Sequence, residues 1–180
     1  MPSGVDSIVR ASSSAMGSTF AERKEENNIS KVIENKADIG IALDGDADRC
    51  IIVDENGKLI DGDKILAMIA IHWSKKKCLH DNTVVSTIMS NKGLEFFLKK
   101  NGINLIRTKV GDRNVSKKMY EKKFVLGGEP SGHIILNHYS STGDGLLASL
   151  EVLGIIKHNN KKLSLLSDLY KSYPQVTENY

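Results

Sequence analysis

Only two cysteines occur among the 180 residues. Cys50 and Cys78 have neither the spacing of a metal knuckle nor the dense pattern of a disulfide framework, so a reducing, cytoplasmic setting is expected. Charge of one sign is lacking too: 25 basic against 22 acidic side chains leave a formal net charge of +3. That is too little for a nucleic-acid-binding face. The runs Lys75-Lys76-Lys77 and Lys161-Lys162 read as solvated surface, as do Lys99, Lys100, Lys117, Lys118, Lys122 and Lys123. No apolar stretch approaches the ~18 residues of a membrane span, and no charged, apolar and cleavable series forms a signal peptide. No internal repeat is visible. What remains is 40% hydrophobic, enough for one sizeable core, so a single soluble, intracellular domain with a loose end is expected.

The stretch that organises the rest is Asp44-Gly45-Asp46-Ala47-Asp48-Arg49, between the apolar runs Ile39-Gly40-Ile41-Ala42-Leu43 and Ile51-Ile52-Val53. Such β-branched runs read as buried strands, which places the acidic segment in the turn at a strand's carboxyl end. Three carboxylates at alternate positions repel one another, and Arg49 alone cannot neutralise them. Three oxygen donors from one tight loop suit a hard cation such as Mg2+, which keeps its other positions for water or a phosphate. Gly45 and Ala47 are expected to let the backbone turn sharply and clear space around the ion. A solvated acidic turn is the plain alternative. A calcium-binding EF-hand loop would use the same acids with Glu55 at its twelfth position, but its sixth position needs glycine and holds Arg49. A haloacid-dehalogenase-type phosphatase also follows a strand with Asp-x-Asp, yet calls for threonine or valine where this chain has Asp48.

Residues 1–19 are rich in serine and poor in large apolar side chains, and are expected to be a flexible leader or the tail of a preceding segment. Ser12-Ser13-Ser14 lacks the histidine or asparagine of a catalytic serine loop. A helical pattern runs from Phe20 to Asn35, and the first strand is expected to begin at Ala37. After the acidic loop come a strand from Cys50 to Val53, a hairpin turn at Asp54-Glu55-Asn56-Gly57, and a helix capped by Asp61 or Asp63 that reaches about Trp73. His72 and Trp73 read as packing residues. A strand over 83–88, a helix over 92–100, a strand over 103–108 and a helix from Lys109-Val110-Gly111-Asp112-Arg113 to Lys123 alternate as in an α/β layer structure. Such sheets gather ligand loops at the carboxyl ends of their strands, so the loops at 44–49 and 109–113 are expected to face one another.

Phe124 to Leu126 reads as a short strand, followed by Gly127-Gly128-Glu129-Pro130-Ser131-Gly132-His133 before Ile134-Ile135-Leu136. This connection has more hydrogen-bonding variety than a simple turn requires. Glu129 and Ser131 suit sugar hydroxyls, and His133 suits proton transfer or phosphate contact; a structural turn with an incidental histidine is the alternative. Thr142-Gly143-Asp144-Gly145 reads as a helix cap and no more. Residues 163–180 read as an amphipathic turn and then an extended exit through Tyr173-Pro174-Gln175-Val176.

Four of these segments together resemble the α-D-phosphohexomutase superfamily: Asp44 to Arg49, Lys109 to Arg113, Gly128-Glu129-Pro130-Ser131-Gly132-His133, and Thr142 to Gly145. Their order and spacing match the third of that family's four domains over nearly all of residues 37–157, and Gly17-Ser18-Thr19 resembles the end of the second. Gly111-Asp112-Arg113 is most similar to the bacterial phosphoglucosamine mutase branch. The resemblance implies an α/β fold with a mixed β-sheet sandwiched between helices. It divides the chain into a remnant of a preceding domain plus helix (1–36), the domain with the metal and sugar loops (37–160), and an exit towards a fourth domain (161–180). It also implies interconversion of glucosamine 6-phosphate and glucosamine 1-phosphate through a phosphoserine, on the route to UDP-N-acetylglucosamine and cell-wall polymers.

Carried to matching positions, Asp44, Asp46 and Asp48 would hold Mg2+ against the phosphoserine while Arg49 neutralises the transferring group. Glu129 and Ser131 would grip sugar hydroxyls, Lys109, Arg113 and His133 would line the site, and Arg49 and His133 would assist proton transfer. The partners implied are a phosphorylated hexose or hexosamine and the remaining mutase domains. Pro130 departs from the family's usual glutamine or methionine; it should stiffen the loop and remove one backbone donor. The family's phosphoserine loop and C-terminal phosphate-binding domain match nothing in these 180 residues, so negligible turnover by the isolated chain is expected. A phosphomannomutase or phosphoglucomutase domain, and a stand-alone metal- and sugar-phosphate-binding module, are the alternatives.

Overall fold

Successive side chains along the strand Thr83–Thr87 point to opposite faces and are buried on both, which sorts the helices into layers. Val84 packs with Leu94, Leu126 and Ile134 in one cluster, whereas its neighbour Val85 joins Val115, Met119 and Ile135 in another, as a strand covered on both faces requires. The structure is a computed structural model and describes residues 8–11 and 20–176; Ser12-Ser13-Ser14 and Gly17-Ser18-Thr19 lie outside the described residues. The chain runs β1 (Ile8–Ala11), α1 (Phe20–Asn35), β2 (Ile39–Leu43), β3 (Cys50–Asp54), β4 (Leu59–Ile60) and α2 (Gly62–Lys75). It continues through β5 (Thr83–Thr87), α3 (Lys92–Lys100), β6 (Asn104–Thr108), α4 (Asp112–Lys122), β7 (Leu126–Gly128), β8 (Ile134–Leu136), α5 (Gly145–Asn159) and α6 (Leu163–Ser167).

The fold is α/β with mixed sheet flanked by helices, and the sheet is divided in two. One part has the order β1-β2-β3-β4 and the other β6-β5-β7-β8, four strands each. In the first, β2 is parallel to β1 and antiparallel to β3; in the second, β5 is parallel to β6 and β7, and β8 returns antiparallel. Helix α1 covers one face of the first sheet through Val32 and Ala37 against Val53, and α4 covers one face of the second. The faces of both sheets that carry Ile39, Ile52, Val84 and Ile134 share one core with Ile65, Leu66 and Ile69 of α2, Leu94 and Leu98 of α3 and Val152 of α5. Each such side chain contributes about 1.5–3 kcal/mol of burial free energy.

Three strand expectations are corrected. The first strand is β1, inside the segment expected to be a leader, and it pairs with β2 from Ile8↔Ile39 to Ala11↔Ala42. Four residues are too few for a period to show in sequence. Strand β2 starts at Ile39, not Ala37, because Ala37 N–H still donates to Val32 O at 3.0 Å and so closes α1. The strand expected over 124–126 lies at Leu126–Gly128. There α4 packs so closely that a Cβ on Gly127 would sit 2.5 Å from Met119 Sδ, so two residues that look like loop glycines are a strand with no room for side chains. Asp61 is the N-cap of α2, accepting from Lys64 N–H at 2.7 Å. Trp73 packs in the core at 3% exposure. Among the described residues, no helix is long and apolar enough to cross a membrane.

Candidate metal and sugar-phosphate site

Two hairpin connections, one from each sheet, make the site. Residues 44–49 close the β2–β3 hairpin, whose last pair is Leu43↔Cys50. Arg49 N–H donates to Asp44 Oδ1 at 3.1 Å, and Asp44 N–H to Arg49 O at 3.4 Å, so the loop is tied across its neck. The side chains of Asp44, Asp46 and Asp48 each offer an oxygen within 4.8 Å of the others. The sharp turn falls on Ala47 at φ 61°, not on Gly45, whose φ is not in the left-handed region. Ala47 is held there by its carbonyl, which accepts from Gly145 N–H at 2.8 Å.

Electrostatics leave the loop short of positive charge. Burial pushes the Asp48 carboxyl above its ordinary range, contact with Asp44 and the charges of Asp44 and Asp46 push it further, and His133 pulls it down. Arg49 Nε stands 3.9 Å from both Asp44 Oδ2 and Asp48 Oδ1, with the arginine side chain half exposed. Exposed pairs at that distance contribute about 0–1 kcal/mol, too little to balance three carboxylates. The EF-hand reading fails on structure: strands flank the loop, and Glu55 accepts from Ser164 N–H at 3.2 Å and from the Ser164 hydroxyl instead.

The second connection joins β7 to β8 after the pair Gly128↔Ile134. Gly132 N–H donates to Glu129 O at 3.1 Å, closing a β-turn with Pro130 at its second position, where its fixed φ fits. Arg49 and His133 form an antiparallel bridge, and Cys50 N–H donates to Gly132 O at 3.1 Å. Gly132 has φ +90°, and a Cβ there would stand 2.2 Å from Cys50 O; no other residue fits at this crossing. His133 is 3% exposed. Its Nε2 lies 3.6 Å from Asp48 Oδ2, an ion-pair distance too long for a hydrogen bond, and its buried Nδ1 has no partner.

The third loop joins through the second. Gly111 N–H donates to Glu129 Oε1 at 3.0 Å, so this carboxylate orders the backbone that carries Lys109 and Arg113, both exposed. Among the described residues no hydrogen bond or ion pair runs directly between 109–113 and 44–49. Ser131 is exposed at the tip of the turn. The structure therefore gathers Asp44, Asp46, Asp48, Arg49, Glu129, Ser131 and His133 in one place, with the Lys109 loop attached through Glu129.

Sequence reasoning undervalued Thr142 to Gly145. Asp144 does cap α5, accepting from Leu147 N–H at 2.8 Å. The same segment also braces the site: Gly145 holds Ala47, and a Cβ on Gly143 would lie 2.2 Å from His133 Nε2. Gly62 N–H donates to Pro130 O at 3.0 Å, so α2 begins on the turn as α5 begins on the acidic loop. The available signal was the repetition of glycine beside aspartate at 44–46, 61–63 and 143–145.

Residues 61–173 match the family model Phosphoglucomutase/phosphomannomutase, alpha/beta/alpha domain III. The phosphoglucosamine mutase of Zymomonas mobilis is 52% identical over 149 residues, 83% of this chain and 34% of that protein. The phosphoglucosamine mutase of Acetivibrio thermocellus is 48% identical over 163 residues, 91% of this chain and 35% of that one. A solved phosphoglucomutase/phosphomannomutase family protein from Burkholderia thailandensis superposes with a TM-score of 0.73 at 27% identity, over 82% of this chain and 32% of its own. The chain thus spans about a third of the length of the curated relatives it matches.

Proposed function

The chain belongs to the phosphoglucomutase/phosphomannomutase family as an alpha/beta/alpha domain III, and on that premise we propose that it is the metal- and sugar-binding domain of a phosphoglucosamine mutase. The observation that carries this reading is the crossing of the two hairpin loops, which sets three aspartates with oxygens within 4.8 Å of one another against the Glu129 turn through the Arg49–His133 bridge. Identity of 52% and 48% to proteins named phosphoglucosamine mutase favours glucosamine phosphates over those of glucose or mannose. The reaction proposed is the exchange of glucosamine 6-phosphate and glucosamine 1-phosphate, with the phosphoserine donor supplied from outside these 180 residues. A phosphosugar substrate and two free thiols support a cytoplasmic setting, upstream of cell-wall precursor synthesis.

The donor set fits Mg2+: three hard carboxylate oxygens on one loop, with Asp48 pushed up by burial and then by Asp44 and Asp46, whose charges a cation would compensate. When bound there, the ion would supply Lewis-acid stabilisation of phosphoryl oxygens. Asp44 is oriented for this by the Arg49 N–H it accepts. The Arg49 guanidinium neutralises charge on the phosphoryl group in transit. Glu129 and Ser131 hold sugar hydroxyls, Glu129 by the oxygen that Gly111 does not use, and Lys109 and Arg113 attract the substrate phosphate. His133 keeps Asp48 turned towards the loop; in a proton transfer, its Nε2 is the nitrogen on the site's side.

Calorimetry of the 180-residue chain tests the reading. Mg2+ binding should vanish with Asp46→Asn, and glucosamine 6-phosphate binding should weaken about tenfold with Glu129→Gln, the equivalent of ~1.4 kcal/mol. No mutase turnover should occur until the rest of a mutase is supplied. Turnover by the chain alone, or equal affinity for mannose 6-phosphate, would refute it.

A further inference from the structure

Helices α2 and α5 both begin at the site, at Gly62 beneath Pro130 and at Gly145 beneath Ala47. Their C-terminal portions, with α6 and the segment after it, line a half-open pocket of about 420 Å³. That volume is in the ~300–1,000 Å³ range of small-ligand pockets. Its floor is apolar, with Met68, Ile155 and Leu166, and its rim carries Lys75, Lys76 and Lys161 with no carboxylate in the lining. His72, only 9% exposed, lines the same cavity. Its ring stands edge-on to His158 at 5.2 Å, and among the described residues neither of its nitrogens has a hydrogen-bond partner.

The nitrogens of His72 are accessible at the pocket wall and have no partner among the described residues, so a group bound in the pocket can reach them. Lysines near helix ends are an ordinary complement to the helix dipole, but here they exceed it. Two helix C-termini carry about half a negative charge each, against three ammonium groups. Burial lowers the His72 pKa first, and Lys76, His158 and Lys75 lower it further. Glu151 acts in the other direction, but its Oε1 accepts from Trp73 Nε1 at 2.7 Å and it is not in the lining. A metal cation on the two histidines would meet three lysine charges, whereas an anion would relieve them.

We propose that this cavity binds a small organic anion with an apolar body, its tail on Met68, Ile155 and Leu166 and its carboxylate-type head between His72 and the lysine rim. The site is separate from the hairpin loops and does not depend on the mutase reading.

Octanoate, titrated into the 180-residue chain while the histidine ring resonances are followed by NMR, is the test. Saturable binding should move the His72 signals and raise the pH at which His72 titrates, because a bound anion favours the imidazolium. Lys75→Glu with Lys161→Glu, both exposed positions, should weaken octanoate at least tenfold with an unchanged circular dichroism spectrum. Octanol should bind at least tenfold more weakly, and octylammonium should not compete. An unmoved His72 signal at millimolar octanoate, or equal binding of octanol, would overturn the proposal.

Discussion

The acidic loop is tied mostly to itself, with Asp44 and Arg49 bonded across its neck, and its further ties are the Ala47 carbonyl to Gly145 and the Arg49–His133 bridge; its three carboxylates stay partly or fully exposed. The Glu129 turn is tied to everything else: its backbone meets Cys50 of the other sheet, Gly62 of α2 and, through Glu129 Oε1, Gly111 of the third loop. The comparison separates two ways of building a binding site. Where the donors are side chains on a self-closed hairpin, exchanging one should change binding and leave the fold. Where the position of the backbone is itself the structure, exchanging one residue should change the fold first.

The largest expected effect is on the turn. Gly132→Val places a side chain against Cys50 O at a left-handed φ of +90°, and strain with overpacking should cost about 3–5 kcal/mol. Thermal unfolding should then begin roughly 10 °C lower, and an unchanged midpoint would contradict the crossing described. Next comes the residue beside Gly62. Burial pushes the Asp63 carboxyl up to about 6, although it accepts from Asn91 N–H at 2.6 Å. Since its folded pKa exceeds that of a solvated carboxyl, its contribution is full below pH ~4 and lost as pH rises through about 6, on the order of 3 kcal/mol. Urea titrations at pH 4 and pH 7 should show Asp63→Asn gaining stability relative to the parent at the higher pH only.

A smaller loss is expected at Asn91, which caps α3 by accepting from Gly93 N–H at 2.9 Å and holds the backbone of Tyr173 by two further bonds of 2.8 and 2.9 Å. Asn91→Ala should cost about 1–2 kcal/mol and speed proteolysis within 168–176. On the acidic loop, Asp46→Asn should abolish Mg2+ binding yet leave metal-free stability within ~0.5 kcal/mol, or raise it, because one repulsive charge is gone. A fall of several kcal/mol there would erase the contrast between the loops. Ser131→Ala, at an exposed tip, should move stability by less than ~0.5 kcal/mol and register only in sugar-phosphate affinity.

Helices α1, α2 and α3 were legible because caps and apolar spacing are local: of the two expected caps of α2 it is Asp61 that accepts a backbone N–H, and Asn91 does the same at the start of α3. The clustering of Asp44, Asp46 and Asp48 was legible for the same reason, since alternate positions on one tight loop between two strands keep their carboxylates together. Strand β1 was not, because pairing with β2 is decided thirty-one residues away, at Ile8↔Ile39. Gly127 and Gly128 misled as loop glycines because what excludes their side chains, Met119 of α4 and His133 O, is remote or across a turn. Thr142 to Gly145 gave up its cap and hid its brace, since nothing local records that Gly145 reaches Ala47.

The order of residues by itself determined the groups on offer: three alternate carboxylates on one loop, a carboxylate, a hydroxyl and an imidazole on another, and where strands and helices alternate. The division of the sheet, the left-handed Ala47 and the crossing of Arg49 with His133 were decided only in the folded chain. The physical reason is that side-chain donors are carried by their own residues, whereas the space between two backbones belongs to neither strand alone and exists only once both are packed.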